Sequence, residues 1–148
     1  MRKPVKPKPR KVWMPSPPGT GGVPIQPNIQ ARTRARVEAF AAEHYAGKYT
    51  RLDIRFKGKF CYIDAYTEPP PFVPFPGFPE TEEDYRERLA NTPTHLCRLR
   101  YHGDNRWEMA FYKYSDEKYE LSVFENGSFY GTPEEGFDTA ARVYLEGW

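Results

Sequence analysis

Apolar and polar residues alternate most regularly in the C-terminal half of the chain. Alternation with a period of two residues is typical of strands that bury one face and expose the other. The Asn126-Gly127 pair adds the strongest hairpin-turn signal in the sequence. Together these features predict an antiparallel meander with strands at residues 95–102, 107–114, 119–123 and 128–130.

An earlier hairpin is predicted at residues 50–66, where Leu52, Ile54 and Phe56 alternate with charged residues. Gly58-Lys59 fits a two-residue turn between its strands. The resulting register places Phe56 opposite Cys61, Ile54 opposite Ile63, and Asp53 opposite Asp64.

Facing carboxylates such as Asp53 and Asp64 can share a proton or hold a metal ion. However, Arg51 and Arg55 flank the pair, and a change of one residue in the turn would separate it. We therefore interpret both carboxylates as surface charge.

Three segments carry helix signals. Asn28 is the predicted N-cap of a helix at residues 29–46, which Gly47 ends, and Thr81 is the predicted cap of a short helix at residues 82–90. The third helix opens at Thr132-Pro133-Glu134-Glu135, because Thr suits the cap, Pro the first turn and Glu the capping-box position. Its apolar face is formed by Phe137, Ala140, Ala141, Tyr144 and Leu145.

This order of elements predicts an α+β fold with one antiparallel sheet of five to six strands and helices packed on one face. The inner face would carry Cys97, Leu99 and Tyr101. Residues 29–148 would form a single domain, preceded by a disordered basic arm at residues 1–28.

The basic arm concentrates the positive charge of the chain. Residues 1–37 hold nine of the 22 basic residues and no acid, so the remainder has 13 basic and 20 acidic residues. This asymmetry suggests a polyanionic partner, either nucleic acid or an acidic protein surface. The alternative is an arm that folds back onto its own acidic body. The candidate binding residues are Arg2, Lys3, Lys6, Lys8, Arg10 and Lys11.

A glycine-rich stretch at residues 16–23 is similar in composition to a phosphate-binding loop but lacks the residues that contact phosphate and magnesium. Gly22 and Val23 stand where such a loop needs Lys followed by Ser or Thr, and no apolar strand precedes it. We therefore predict a flexible linker there.

A second proline-rich stretch lies at residues 68–80, where six prolines exclude a helix or a central strand. In a polyproline II conformation Phe72, Phe75 and Phe78 share one edge. This aromatic edge either covers the domain's own sheet as a lid, or forms the lip of a ligand pocket or a docking strip for a partner.

The outer face of the predicted sheet would show Arg98 and Arg100 together with tyrosines. Arginine and aromatic residues on a sheet are one way in which proteins bind single-stranded nucleic acid. Glu108 and Glu120, predicted on the same face, favour instead cross-strand Arg–Glu pairs on a solvated surface.

The sequence contains no recognisable catalytic or metal-binding motif. Cys61 and Cys97 are two thiols without metal-type spacing, and we expect both to be buried and reduced. His95 and Cys97 would share one strand face, where a Cys–His pair is an alternative to simple side-by-side packing. We predict no cofactor. The N-terminus lacks a signal-peptide pattern and no membrane-spanning run is present, so we expect a cytoplasmic protein.

The run KYELSVFENGSFYGTPEEGFDTAARVYL, at residues 118–145, resembles the C-terminal part of small uncharacterised bacterial domains. The shared features are the Asn-Gly turn and the Thr-Pro-Glu-Glu cap, which are structural. The resemblance covers 28 of the 148 residues and implies no activity.

Three functions follow as hypotheses. The first is a non-enzymatic interaction module whose arm contacts nucleic acid or an acidic partner. The second is a small-ligand or peptide-binding domain with its site under the loop at residues 68–80. The third, the weakest, is an enzyme that uses Asp53 and Asp64, or His95 and Cys97.

Overall fold

The computed structural model describes residues 17–146. Within that range the chain forms five strands and three α-helices. In chain order they are α1 (Pro27–His44), β1 (Arg51–Lys57), β2 (Phe60–Tyr66), α2 (Glu82–Ala90), β3 (Thr94–Tyr101), β4 (Trp107–Lys113), β5 (Lys118–Ser122) and α3 (Pro133–Tyr144).

The five strands form one antiparallel sheet in which every strand pairs with its neighbours in the chain, in the order β1-β2-β3-β4-β5. The predicted α+β class and antiparallel sheet are confirmed. The first hairpin has the predicted register, since Phe56 pairs with Cys61, Ile54 with Ile63, and Asp53 with Asp64.

The core lies between the sheet and the two long helices, α1 and α3. Helix α3 begins as predicted, because the Thr132 hydroxyl accepts from the Glu135 N–H while the Glu135 carboxylate accepts from the Thr132 N–H. The ring of Phe137 then packs edge-on against Tyr45, with 5.6 Å between ring centroids. The other fully buried apolar residues include Val37, Ala41, Ile63, Leu96, Cys97, Leu99 and Ala141.

Helix α2 does not belong to this core. None of its residues is buried, although its cap is the predicted one, with the Thr81 hydroxyl accepting from the Asp84 N–H. Its contacts are instead with the proline-rich loop that precedes it, described below.

Two predicted boundaries are wrong. Helix α1 begins at Pro27 with Gln26 as N-cap and no side-chain cap, rather than at residue 29 after Asn28. Proline suits the first position because the missing N–H has no helical partner there. Residues 128–130 do not form a strand, since Phe124 donates to the Ser128 carbonyl in a tight turn and the pairing to Trp107 comes from Gly131.

The pairing of β2 with β3 is interrupted by a β-bulge. Ile63 faces Cys97 and Asp64 faces His95, so Leu96 is an extra residue without a partner on β2. The bulge turns Leu96 and Cys97 toward the core, where both are fully buried. It therefore places His95 on the opposite face of the sheet, beside Asp64.

Gly131→Ala should destabilise the protein, because a methyl group there would lie 2.6–2.9 Å from three ring carbons of buried Phe124. Overpacking of this kind costs roughly 1–3 kcal/mol, measurable by urea unfolding. Gly136→Ala is the comparison. Its methyl group would meet one terminal carbon of Leu99 at 2.6 Å, and alanine's better helix propensity offsets about 1 kcal/mol. An equal or larger loss for Gly136→Ala would contradict this packing.

Candidate functional site

The face of the sheet turned away from α1 and α3, which we call the outer face, carries polar and aromatic side chains. It is defined by strand alternation, since the residues between the buried positions of each strand point to this side. It comprises Asp53, Arg55, Phe60, Tyr62, Asp64, His95, Arg98, Arg100, Glu108, Ala110, Tyr112, Tyr119 and Leu121, with Tyr114 following at the end of β4.

Aromatic rings cross the outer face in a continuous row. Tyr62 on β2 meets Tyr119 on β5 with 5.7 Å between ring centroids, and Tyr119 meets Tyr112 at 5.2 Å. Neighbouring strands are about 4.8 Å apart, so rings from β2 and β5 meet only by leaning over the strands between them. Ala110, directly beneath on β4, is small and buried. The row is completed by Phe60 beside Tyr62 and by Tyr114 beside Tyr112.

Guanidinium groups lie over these rings. Arg98 is 4.6 Å from the ring centroid of Phe60 and 5.4 Å from that of Tyr119. Arg100 lies 4.7 Å from the Phe60 ring. Such cation–π contacts orient the guanidinium planes and contribute roughly 0.5–1 kcal/mol each at exposed sites.

The alternative of cross-strand Arg–Glu pairs is not what the outer face shows. Arg100 does face Glu108 in register, but the Glu108 carboxylate contacts His102 and accepts from the Gly19 N–H at 2.7 Å. Glu120 pairs with Phe111 and therefore lies on the helix side of the sheet, which corrects its predicted placement. Within residues 17–146, Arg98 and Arg100 thus have rings and a backbone carbonyl as partners rather than carboxylates.

Asp64 is a buried carboxylate on this face, with a side chain only 1% exposed. One of its oxygens lies 2.9 Å from Nδ1 of His95, and the other accepts from Arg55 at 3.1 Å. The predicted register with Asp53 is correct, but the interpretation of Asp64 as surface charge is wrong. Burial and the nearby Asp64 carboxylate also raise the pKa of Tyr119.

Of the two pairs considered for catalysis, Asp53 and Asp64 do face each other in register, with Arg55 against both carboxylates, whereas His95 and Cys97 are separated. The bulge places His95 on the outer face, while Cys97 lies on the inner face, so their predicted shared face is wrong. Complete burial raises the pKa of the Cys97 thiol, and burial raises that of Cys61 to about 12, which makes both poor nucleophiles. Across residues 17–146 no group of three or more His, Cys, Asp or Glu residues is arranged to hold a metal ion.

Residues 17–25, which we call the N-terminal strap, run along the end of the outer face. Gly19 bonds Glu108, and the Gly21 carbonyl accepts from Arg100 at 3.0 Å. The strap then adds backbone hydrogen bonds from Val23 to the Tyr101 carbonyl and from Ile25 to the Gly58 carbonyl, each 2.9 Å long. These residues, expected to form a flexible linker, are thus tied to the sheet.

The strap contains the first residues of the chain that the structure describes. The candidate residues Arg2, Lys3, Lys6, Lys8, Arg10 and Lys11 lie outside the described residues. Two residues after the described chain begins, the Gly19 N–H donates to the Glu108 carboxylate. A Cβ added at Gly19 would lie 3.7 Å from the side chain of Leu121. The first described residues of the chain therefore lie at the outer face, beside Arg98 and Arg100.

The phenylalanines of the proline-rich loop are brought together, but away from the sheet. Phe72 and Phe78 are 5.7 Å apart between ring centroids, and Phe72 lies 5.1 Å from Tyr85 of α2. A turn closed by the Phe78 N–H on the Phe75 carbonyl, with Gly77 at φ +86°, leaves Phe75 64% exposed. The loop packs on α2 rather than lying across the sheet as a lid.

A groove of about 860 Å³ separates the start of this loop and the end of α2 from the body. It begins under Pro69 and Pro70, where a pocket was expected, but the three phenylalanines do not line it. Sequence periodicity gave no signal for it, since its walls come from five separate segments. The residues that line the groove are Lys48, Thr67, Glu68, Pro69, Pro70, Leu89, Thr92, Pro93, Thr94, Tyr114, Tyr144 and Leu145.

Comparison with known proteins gave no match to any protein-family model, curated protein or solved structure. The resemblance of residues 118–145 to small bacterial domains therefore stays a prediction. Among the helices of residues 17–146, none combines the length and hydrophobicity needed to cross a bilayer. The geometry of the outer face is consequently the basis for a functional proposal.

Gly22→Ala should release the strap, because its φ of +104° strains any other residue and an added Cβ would lie 2.9 Å from the Tyr101 carbonyl oxygen. We expect faster amide hydrogen exchange at Val23, which donates to that carbonyl. Gly47→Ala is the matched control, since φ is +79° but no atom lies within 4 Å of the added Cβ. Unchanged exchange at Val23 in Gly22→Ala would show that the strap is not held in this way.

Proposed function

We propose that this protein is a non-enzymatic interaction module that binds single-stranded nucleic acid on the outer face of its sheet. The basic arm would add phosphate contacts. The observation that carries the proposal is the row of aromatic rings overlaid by the guanidinium groups of Arg98 and Arg100, neither of which is paired with a carboxylate in residues 17–146.

Aromatic rings supply sequence-tolerant contacts to bases. Every base has a π face that stacks on a ring or on a guanidinium plane. Tyr62, Tyr112 and Tyr119 are only half-buried, and Tyr114 is exposed, so each retains surface for a base. Their spacing of 4.8–5.7 Å between ring centroids keeps them in one continuous patch.

The two arginines beside the rings and the basic arm favour a polyanion. The two buried carboxylates, Asp64 and Glu108, have their own partners, while Arg98 and Arg100 remain as cations beside the rings. Residues 1–37 add nine basic residues and no acid. Lys and Arg on the arm would make sequence-independent contacts to phosphates, which weaken as salt rises.

An acidic protein surface is the other polyanionic partner that the arm suggests, but it gives no role to a row of rings on the outer face. We therefore favour nucleic acid, and we keep a cytoplasmic location as part of this proposal. Binding to an acidic protein is an outcome that the experiments below distinguish.

Tyr62→Leu should weaken binding of a fluorescent single strand roughly tenfold, because base–aromatic stacking contributes about 1–3 kcal/mol per base. Fluorescence anisotropy at fixed salt measures the change. Tyr85→Leu is the matched control, since Tyr85 packs on Phe72 and Phe78 and not on the outer face. Equal affinity of Tyr62→Leu and Tyr85→Leu would remove the rings from the binding site.

The same titration separates the arm from the sheet. A full-length variant with the six basic residues between Arg2 and Lys11 changed to Ser should bind more weakly and with a smaller salt dependence. If neither the wild type nor this variant bound single strands, the proposal would be overturned and an acidic protein partner would be favoured.

The groove favours a second candidate function, the binding of a small apolar ligand or peptide. Its volume of about 860 Å³ is in the range of ligand sites. Tyr114, Tyr144 and Leu145 give it an apolar wall on the body side, and Pro69 and Pro70 line the loop side.

Leu89→Trp should fill the groove and abolish thermal stabilisation by any aromatic fragment that binds there, because Leu89 lines it from α2. A thermal-shift screen of wild type and variant measures this effect. Val123→Trp, at an exposed position outside the groove, is the control. Fragments that stabilise Leu89→Trp as well as they stabilise the wild type would place their site elsewhere.

A further inference from the structure

We propose that Arg55 and His95, held on the two oxygens of buried Asp64, form a phosphate-binding site on the outer face, in which His95 is a pH-dependent donor. The ligand is the phosphodiester group of a bound single strand. This inference rests on the proposed function, because the rings beside the site would hold the bases.

The geometry turns both cations toward solvent and keeps the carboxylate underneath. The Asp64 side chain is 1% exposed, whereas those of Arg55 and His95 are 52% and 35% exposed. Each cation uses one group on Asp64, Arg55 through Nη2 and His95 through Nδ1. Nε of Arg55 lies 3.7 Å from Asp53, so the remaining Nη N–H groups of Arg55 and the Nε2 atom of His95 are the ones placed to meet a ligand oxygen from solution.

The contact with Asp64 assigns the proton positions of His95. A carboxylate oxygen 2.9 Å from Nδ1 requires the proton there, so Nε2 is an acceptor in the neutral ring and a donor in the protonated ring. Arg55 also lies beside Asp53, so with a neutral ring the two carboxylates outnumber the one guanidinium. With a protonated ring the formal charges of the four residues balance, which removes a repulsion that a phosphate would otherwise meet.

The other groups that face His95 do not titrate in its place. From β4, the Tyr112 ring lies 4.7 Å away and the Tyr114 hydroxyl accepts from the His95 backbone N–H. Burial raises the pKa of Tyr114 and also that of Tyr119 on β5. Both phenols therefore stay neutral near neutral pH. From β1, Asp53 lies 3.7 Å from Nε of Arg55.

The position of the site matches a nucleotide stacked on the ring row. The Arg55 guanidinium lies 5.8 Å from the Tyr62 ring centroid, and Tyr62 also meets Tyr119. His95 lies against Tyr112, the next ring of the row. A base on Tyr62 or Tyr112 would thus bring its phosphate to Arg55 and His95, where charge-assisted hydrogen bonds favour it.

The experiment compares binding of a fluorescein-labelled single strand of roughly 15 nucleotides at about pH 5.5 and about pH 8, on either side of the range in which an ordinary imidazole titrates. The full-length protein is used at constant salt. We expect the wild type to bind roughly 3–10-fold more tightly at the lower pH, because protonation adds one charge-assisted hydrogen bond. Its loss as pH rises follows from deprotonation of Nε2.

His95→Gln should lose this pH preference while still binding through the rings and arginines. Asp64→Asn should reduce it too, because the protonated ring loses its carboxylate partner. The matched control is His44→Gln, which changes an exposed histidine of α1 that lies beside Glu43. The control should keep the full pH preference.

Two results overturn the inference while leaving the proposed function intact. One is equal wild-type binding at both pH values. The other is a pH preference that survives in His95→Gln, which would assign it to another pair such as His102 and Glu108. If the wild type bound at neither pH, the proposed function would be overturned, and this site with it.

Discussion

A carboxylate taken out of water must be matched by positive charge or hydrogen bonds, and the outer face depends on how Asp64 meets this requirement. Its two oxygens are shared between Arg55 on β1 and His95 on β3, so one buried group on β2 positions side chains from both neighbouring strands. The bulge at Leu96 makes the arrangement possible, because it turns His95 toward Asp64 while keeping Leu96 and Cys97 in the core.

The sheet thereby separates two different environments. On one face, α1 and α3 cover an apolar core that includes Val37, Leu99 and Phe137. On the other, no helix is needed, because tyrosines lean over the strands and the N-terminal strap closes the end of the sheet through Gly19 and Glu108. Ring contacts and the partners of the two buried carboxylates thus set the positions of the cations on this face.

Much of the fold was predictable because it is encoded locally. The period-two alternation gave the strands, Gly58-Lys59 gave the register of the first hairpin, and Thr132 with Glu135 gave the start of α3. The candidate site was predictable only in part. Arg98 and Arg100 were expected on the outer face beside tyrosines, but the buried state of Asp64 and its pairing with His95 were not. A bulge adds one residue without a compositional signal. Strict alternation therefore assigns the residue on the far side of the bulge, here His95, to the wrong face of the sheet.

The sequence by itself determined the antiparallel α+β architecture, the capping of α2 and α3, and the concentration of positive charge before residue 37, since each depends on neighbouring residues or on composition. Only the tertiary structure decided which polar groups are buried together, where the proline-rich loop packs, and how the strap attaches to the sheet. These features join residues separated by many positions in the chain, and their free energy comes from desolvation and packing that no local pattern contains.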